Sequence, residues 1–494
     1  MTTSSTMRSV AQGEARMLID GVLTEASTGA RYANINPATE EEIGTTANAS
    51  AADMDRAIAS ARRAFDETDW ATNRALRKRC LEQLHEALHE EKEQLRAELV
   101  AEAGSPVSVT YLAQLDWPLA DAFSYHAQMI EDFAWERDLP DTEKFGGVNK
   151  RRVLKEPVGV VAAIVPWNFP FEVAAGKIAP ALAAGNTVVL KPAPDTPWTA
   201  TRIGRIVAEK TDIPAGVFNV VTTYDNLVAQ QLLTDPRVDM VSFTGSTNIG
   251  RLVAQVGALT LKRAFLELGG KSAIIALDDA DFATVIAASA MTAMHAGQGC
   301  GLPSRLLVPR SRYDEVVEGV AAVYKALPYG DPTDPLTFCG PVANKAQYDR
   351  VLGYIDAGKA EGARVVAGGG PAEQFDRGYF IQPTVFADVD SSMTIAQEEI
   401  FGPVLVIIAF DDDDDAIRIA NDSAYGLSGF LFGSDPARLE KVTRSVRTGS
   451  FCVNGGLYYG ADAPYGGYRN SGYGRQGGTE GFEQYLQTKT VGSR

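Results

Sequence analysis

The chain has 494 residues, 45% hydrophobic and 22% charged, with 46 glycines and 24 prolines, which is an ordinary globular composition and excludes disordered or fibrous classes. At roughly 150 residues per domain, this length predicts about three structural units. Lys plus Arg number 46 against 63 Asp plus Glu, and the resulting net charge of −17, with no basic patch to offset it, argues against nucleic-acid or membrane-surface partners.

Residues 1 to about 20 are Ser/Thr-rich and aperiodic, and read as a loose arm. Arg8, Glu14, Arg16 and Asp20 interrupt any apolar run there, so no secretory signal is expected. From Ala51 to about Val100 the pattern is helical, with Leu76, Cys80, Leu84 and Leu88 recurring every four residues among charged neighbours. The longest apolar run, Val158 to Trp167, falls well short of the ~18 residues a membrane helix needs. Between 158 and 270 short apolar segments recur at regular intervals: Gly159–Pro166, Thr187–Lys191, Val217–Thr223, Met240–Gly245 and Arg263–Gly269. Helix candidates Phe171–Ala184, Pro197–Thr211, Leu227–Thr234 and Thr247–Val256 fill the gaps, the alternation of βαβ units feeding a parallel sheet. A second series follows, with Ser272–Leu277, Arg305–Val308, Pro403–Phe410, Leu427–Phe432 and Ser450–Val453 as strands. The predicted class is therefore α/β, with two doubly wound domains joined near 269. The run Asp411–Asp415 precedes Ala416-Ile417-Arg418-Ile419 and reads as carboxylates at a helix start rather than a calcium site.

Cys80, Cys300, Cys339 and Cys452 are far apart with no Cys-x-x-Cys pair, which indicates neither a disulfide framework nor a thiolate zinc site and fits a reducing, cytoplasmic setting. His85-Glu86-Ala87-Leu88-His89 matches the zinc-hydrolase pattern, with Glu98 or Glu102 as a conceivable third ligand; His126 and His295 offer none. The favoured reading is a charged helix face flanking Leu84 and Leu88, and zinc hydrolysis is the rival function. Gly297-Gln298-Gly299-Cys300-Gly301 sets one cysteine among glycines, so a substrate can approach its sulfur, which as a nucleophile needs a nearby base. Leu266-Glu267-Leu268-Gly269-Gly270-Lys271 ends a strand on a carboxylate, placed either for general-base work or for a salt bridge to Lys271. Pro166-Trp167-Asn168-Phe169-Pro170 holds an amide in a rigid turn. Phe243-Thr244-Gly245-Ser246 follows a strand and opens a helix whose N–H groups and Ser246 hydroxyl suit a phosphate.

Together with Glu399-Ile400-Phe401-Gly402-Pro403, Pro464-Tyr465-Gly466-Gly467 and Ser471-Gly472, these motifs make the chain resemble the aldehyde dehydrogenase superfamily over roughly residues 18 to 491. The resemblance implies a Rossmann-like cofactor domain (18–139 and 159–268), a catalytic domain (269–478) and a small β oligomerisation arm (140–158 and 479–494). It implies that Cys300 attacks an aldehyde, that Asn168 and the Cys300 N–H hold the oxyanion, and that Glu267 activates water against the thioester. Lys191 and Glu399 would take the two riboses, Ser246 the pyrophosphate and Phe401 the nicotinamide end, with Ile164, Pro166, Trp167, Phe243, Gly245, Ile249 and Leu268 lining the same site. Pro194 stands where many NAD-preferring members carry a Glu, while Asp195 next to it restores a carboxylate; NAD is favoured over NADP. Thr223 stands where a glycine often follows the Asn219-Val220-Val221 run, and Leu302-Pro303 replaces smaller residues after the cysteine. The resemblance further implies a homodimer or homotetramer, a small aldehyde substrate and no metal. Thioester transfer to coenzyme A is a variant disfavoured by Glu267. Phe169, Glu172, Phe451 and Leu457-Tyr458-Tyr459 are the candidate aldehyde contacts, whose aromatic content points either to an apolar or aryl aldehyde or to loop packing.

Overall fold

The computed structural model describes residues 11–494; residues 1–10 of the predicted arm lie outside the described residues. Five parallel strands centre an eight-stranded sheet: β1 (Val160–Ile164), β2 (Thr187–Lys191), β3 (Phe218–Val220), β4 (Met240–Thr244) and β5 (Arg263–Glu267). They lie in the order β5-β4-β1-β2-β3. Alternate residues serve opposite faces. Val161, Ala163, Val188 and Leu190 pack with the helices α1 (Pro170–Ala184) and α2 (Trp198–Lys210), whereas Val160, Ala162 and Val189 pack with Ala51–Glu67 and α3 (Thr247–Gly257). The sheet is thus buried on both sides, which is why its strands read as unbroken apolar runs. The chain winds outward through β2 and β3 and returns to place β4 beside β1, so the carboxyl ends of β1 and β4 flank the switch point where ligands bind in such sheets.

One part of the predicted arm is structured. Met17–Ile19 is a buried strand, paired antiparallel to β3 through Leu18 and Val220. Three apolar residues are too few to show a period, and the neighbouring sheet edge decides their conformation.

The second sheet contains β6 (Ser272–Ala276), β7 (Pro303–Pro309), β8 (Thr384–Ala387), β9 (Val404–Phe410), β10 (Ser428–Phe432) and β11 (Ser450–Val453), in the parallel order β8-β9-β7-β6-β10-β11. Arg364–Ala367 adds an antiparallel edge to β8. β8 and this edge strand have four residues each and were not among the predicted strands, for the same reason of length. A third, antiparallel sheet joins Leu486–Ser493, Gly147–Pro157 and Glu136–Lys144. The acidic run starts a helix as expected. Asp412 caps Asp413–Asn421 by accepting the Asp415 N–H at 2.9 Å, and Asp413, Asp414 and Asp415 pair with Arg438, Lys441 and Arg418. Among the described residues, no helix is long and apolar enough to cross a membrane.

Candidate active site

Glu267 is the last residue of β5, and Asn168 lies in the turn between β1 and α1. The helical stretch after β6 ends in a strained corner, with His295 at φ 49° and Ala296 at φ 54°, and delivers Gly297 to Cys300 to the same place. All three side chains line one cavity of about 970 Å³ between the two parallel sheets. Gly270 permits this approach, since a Cβ there would lie 2.9 Å from the Cys300 carbonyl oxygen.

Buried polar side chains pin the corner. The Asn168 carbonyl oxygen accepts from Gln114 Nε2 at 2.7 Å and from His295 Nε2 at 2.9 Å. Burial pushes His295 down to about 4, so the ring is neutral, and its carbonyl partner requires the proton on Nε2. The Asn168 amide in turn donates to the Gln298 carbonyl oxygen at 2.7 Å, which leaves one N–H for another acceptor. Gln298 Oε1 accepts from the Ala343 N–H at 2.8 Å and ties the cysteine loop to the second sheet's domain. Sequence reasoning missed Gln114 and His295 here, because they act through a backbone carbonyl and leave no spacing signal.

Cys300 and Glu267 are both starved of strong partners. The Cys300 Sγ lies 3.7 Å from the Tyr465 hydroxyl, and among the described residues Glu267 has a single hydrogen bond, at 3.3 Å from Thr244 Oγ1. Burial, with the Glu267 charge adding to it, raises the thiol above its ordinary value. Burial also raises Glu267, against the pull of the buried Lys177 ammonium. Lys177 is lowered by its own burial; it donates to Ser242 Oγ at 3.2 Å and lies 4.6 Å over the Phe265 ring. Lys271 is not the partner of Glu267: its ammonium is buried without a hydrogen bond among the described residues.

The rest of the cavity has two characters. At one end lie Pro166, Trp167, Gly245, Ser246, Leu268, Glu399 and Phe401. Ser246 caps α3, and Glu399 Oε1 accepts the Gly270 N–H at 2.9 Å, a contact open only because residue 269 lacks a Cβ, which would fall 2.0 Å from Glu399 Oε2. Ile164, Lys191 and Phe243 are register partners across β2, β1 and β4 at the switch point, and Ile249 is half-exposed in the first turn of α3; these four flank the cavity rather than line it. Lys191 is buried, donates to the Pro192 carbonyl oxygen at 2.9 Å, and is lowered to about 8 by burial. The other end is aromatic, with Trp117, Phe169, Phe430, Tyr458, Tyr459 and Tyr465. Phe451 is not on this wall; its ring packs over Gly429 in the second core.

The zinc pattern at His85 and His89 gathers no further ligand. The two rings lie 4.3 Å apart, tilted at 57° to each other, His89 Nδ1 bonds the His85 carbonyl oxygen, and Glu98 and Glu102 are engaged elsewhere, with Arg202 and with the start of α2. Among the described residues there is no group of three or more metal-capable side chains.

A thiol, an amide and a poorly solvated carboxyl line one cavity at the carboxyl end of a doubly wound sheet, a set suited to covalent catalysis beside a bound nucleotide. Residues 23–491 match the aldehyde dehydrogenase family, and the chain belongs to that family of NAD(P)-dependent enzymes that oxidise aldehydes to carboxylic acids. It is 43% identical over 472 residues to a 3-succinoylsemialdehyde-pyridine dehydrogenase of a Pseudomonas species, covering 94% of this chain and 95% of that one. It is 40% identical over 459 residues to geranial dehydrogenase of Castellaniella defragrans, covering 92% and 94%. Among solved structures, betaine aldehyde dehydrogenase of Staphylococcus aureus in complex with NAD+ superposes with a TM-score of 0.96 at 33% identity, over 100% of this chain and 98% of that one. Aldehyde dehydrogenase C of Pseudomonas syringae, a cysteine-to-alanine variant with NAD+ and octanal, has a TM-score of 0.90 at 39% identity, over 98% and 97%.

Proposed function

We propose that Cys300, Asn168 and Glu267 carry out NAD-dependent oxidation of an aldehyde, a reading supported chiefly by their convergence on one cavity. Cys300 Sγ forms a bond to the aldehyde carbon as its proton passes to Glu267, the nearby base whose burial favours protonation. The carbonyl oxygen, now an anion, accepts hydrogen bonds from the free Asn168 N–H and the Cys300 backbone N–H. A bound nicotinamide supplies the acceptor for the hydrogen and electron pair leaving the substrate carbon. The product on the protein is a thioester at Cys300. Glu267, having lost its proton to solvent, takes one from a water whose oxygen attacks that thioester; the acid leaves and Cys300 regains its hydrogen.

The chemistry of the donor set fits a dinucleotide. Glu399 and Lys191 suit ribose hydroxyls, and the Ser246 turn at the start of α3 suits a pyrophosphate. Asp195 favours NAD over NADP, because its carboxyl, held by Asn344 Nδ2 at 3.1 Å, sits beside Lys191 where a further phosphate would be repelled. The eight-stranded sheet and its helices (18–139 and 159–268) would hold this cofactor, and residues 269–478 would present the cysteine. The third sheet, near 140–158 and 479–494, offers unpaired edge strands and the exposed Phe145 and Val148 to a second copy, in a homodimer or homotetramer. The four unpaired cysteines suit the cytoplasm.

The decisive experiment follows NADH formation by absorbance over a panel of aliphatic and aryl aldehydes, with NAD and with NADP, for the wild type and Cys300→Ala. Aldehyde-dependent signal that vanishes in the variant is the expected result; signal that survives in Cys300→Ala overturns the assignment.

A further inference from the structure

The aromatic end of the cavity contains one carboxyl group, and the reaction described above does not use it. Glu172 lies in the first turn of α1, between Phe171 and Val173, and its side chain lines the cavity. Tyr459 donates its hydroxyl proton to Glu172 Oε1, and Gln476 Nε2 donates to the same oxygen at 3.0 Å. Gly176, one turn on, makes the second contact possible, since a Cβ there would lie 2.3 Å from Gln476 Nε2. Both bonds land on Oε1, so among the described residues Oε2 of this cavity-lining side chain has no hydrogen bond. Its place relative to the cysteine follows from the rings between them: Cys300 Sγ touches the Tyr465 hydroxyl, the Tyr465 and Tyr459 rings meet edge to face at 6.2 Å, and Tyr459 reaches Glu172. Glu172 therefore stands two aromatic side chains, Tyr465 and Tyr459, beyond the reacting thiol, among the aromatic residues of the cavity.

We propose that Glu172 is a specificity-determining residue that selects aldehydes carrying a weakly basic nitrogen, such as a pyridine-type ring, at the end remote from the carbonyl. The proposal rests on the cysteine reading of the site given above. A hydrocarbon tail filling this end would strip water from Oε2 and return no hydrogen bond, a cost that sites with buried polar groups impose on analogues lacking the matching group. A weakly basic nitrogen removes that cost in either protonation state, because carboxyl and nitrogen share one proton whichever of them holds it. The raised proton affinity of buried Glu172 brings it closer to that of such a nitrogen. The faces of Phe169, Tyr458 and Tyr465 suit the flat ring that would carry it. A carboxylate tail, by contrast, would meet repulsion.

The test compares phenylpropanal with its pyridyl counterpart, identical in shape except for the ring nitrogen. Two measurements are made: kcat/KM with NAD, and calorimetric affinity for the Cys300→Ala protein loaded with NAD. The wild type is expected to favour the pyridyl aldehyde by about tenfold or more, the worth of one hydrogen bond involving a charged group. Glu172→Leu removes the acid and every donor or acceptor that could meet a ring nitrogen, and is expected to bring the ratio close to one. Glu172→Asp, which keeps the charge but withdraws it by a methylene, is expected to reduce the ratio and serves if the leucine variant does not fold. A purely structural Glu172 would lower both aldehydes together and leave the ratio intact, which overturns the proposal, as does a wild-type ratio near one. Absence of NADH formation with every aldehyde would overturn the oxidation reading, and the calorimetric ratio would still decide the role of Glu172.

Discussion

Glu267 at the end of β5 and Glu102 on the helix Lys92–Ala103 are equally removed from water, at 3% and 1% exposure, yet they keep different company. Glu102 accepts four hydrogen bonds, from the Trp198 and Thr199 N–H groups at 2.9 and 3.1 Å, Thr199 Oγ1 at 3.0 Å and Asn34 Nδ2 at 3.0 Å. One turn earlier, Glu98 holds the guanidinium of Arg202 at 2.7 Å. Burial outweighs the pull of its donors and pushes Glu102 up to about 8, and those hydrogen bonds fasten the start of α2 to the neighbouring helix. Glu267 has one long bond and a lysine that does not reach it as a hydrogen-bond donor. Burial raises both carboxyl groups, but the oxygens of Glu102 are taken up by donors of the fold, whereas those of Glu267 are left for a substrate or water.

The sharpest way to separate the two regions is to remove reacting groups from the first. Cys300→Ala is expected to lower kcat by about 10⁴-fold or more, as losing the nucleophile of a catalytic set does, with the thermal midpoint little changed. Glu267→Gln is expected to slow turnover by about 10²–10⁴-fold, and because the raised Cys300 thiol loses its base the first-turnover formation of NADH, followed by stopped-flow absorbance, is expected to slow as well. An undiminished steady state in Glu267→Gln would erase the contrast with Glu102. Asn168→Ala is expected to cost about 10²–10³-fold in kcat through loss of an oxyanion donor.

Removing Glu98 from the second region has the opposite signature. Glu98→Ala leaves Arg202 buried with a weaker share of charge and is expected to destabilise the fold by about 3 kcal/mol, read from the urea midpoint, with kcat per folded molecule unchanged. Smaller still is the effect of Lys177→Met. The base must be unprotonated to act, so activity falls as pH drops through its raised pKa; removing the lysine that opposes this rise moves the acidic limb of the kcat profile to higher pH. A limb that stays in place would mean that Lys177 does not set the basicity of Glu267. The smallest expected change is in cofactor choice: Asp195→Asn is expected to raise the NADP-to-NAD ratio of kcat/KM by about threefold to tenfold.

Much of this was legible in the chain itself. The ten predicted strands occur because each is an apolar run bounded by turn residues, and a strand buried on both faces needs no more than that. Cys300, Glu267 and Asn168 stood out because each has a glycine or proline within two residues, in a setting that ordinary packing does not call for. The misses are of two kinds. Met17–Ile19, β8 and the Arg364–Ala367 edge are strands of three or four residues, shaped by the sheet edge they join. Gln114, His295, Tyr465 and Lys177 act through contacts with residues distant in sequence, and no local period encodes them.

Local hydrophobic periodicity and glycine-flanked motifs are properties of short segments, and they suffice for the α/β class, the two parallel sheets and the family. Tertiary structure alone decided which carboxylates are satisfied and which are not. Glu98, Glu102, Glu172 and Glu267 look alike as letters, but the donors that reach each one come from residues up to several hundred positions away, and only the folded chain brings those donors within hydrogen-bonding distance.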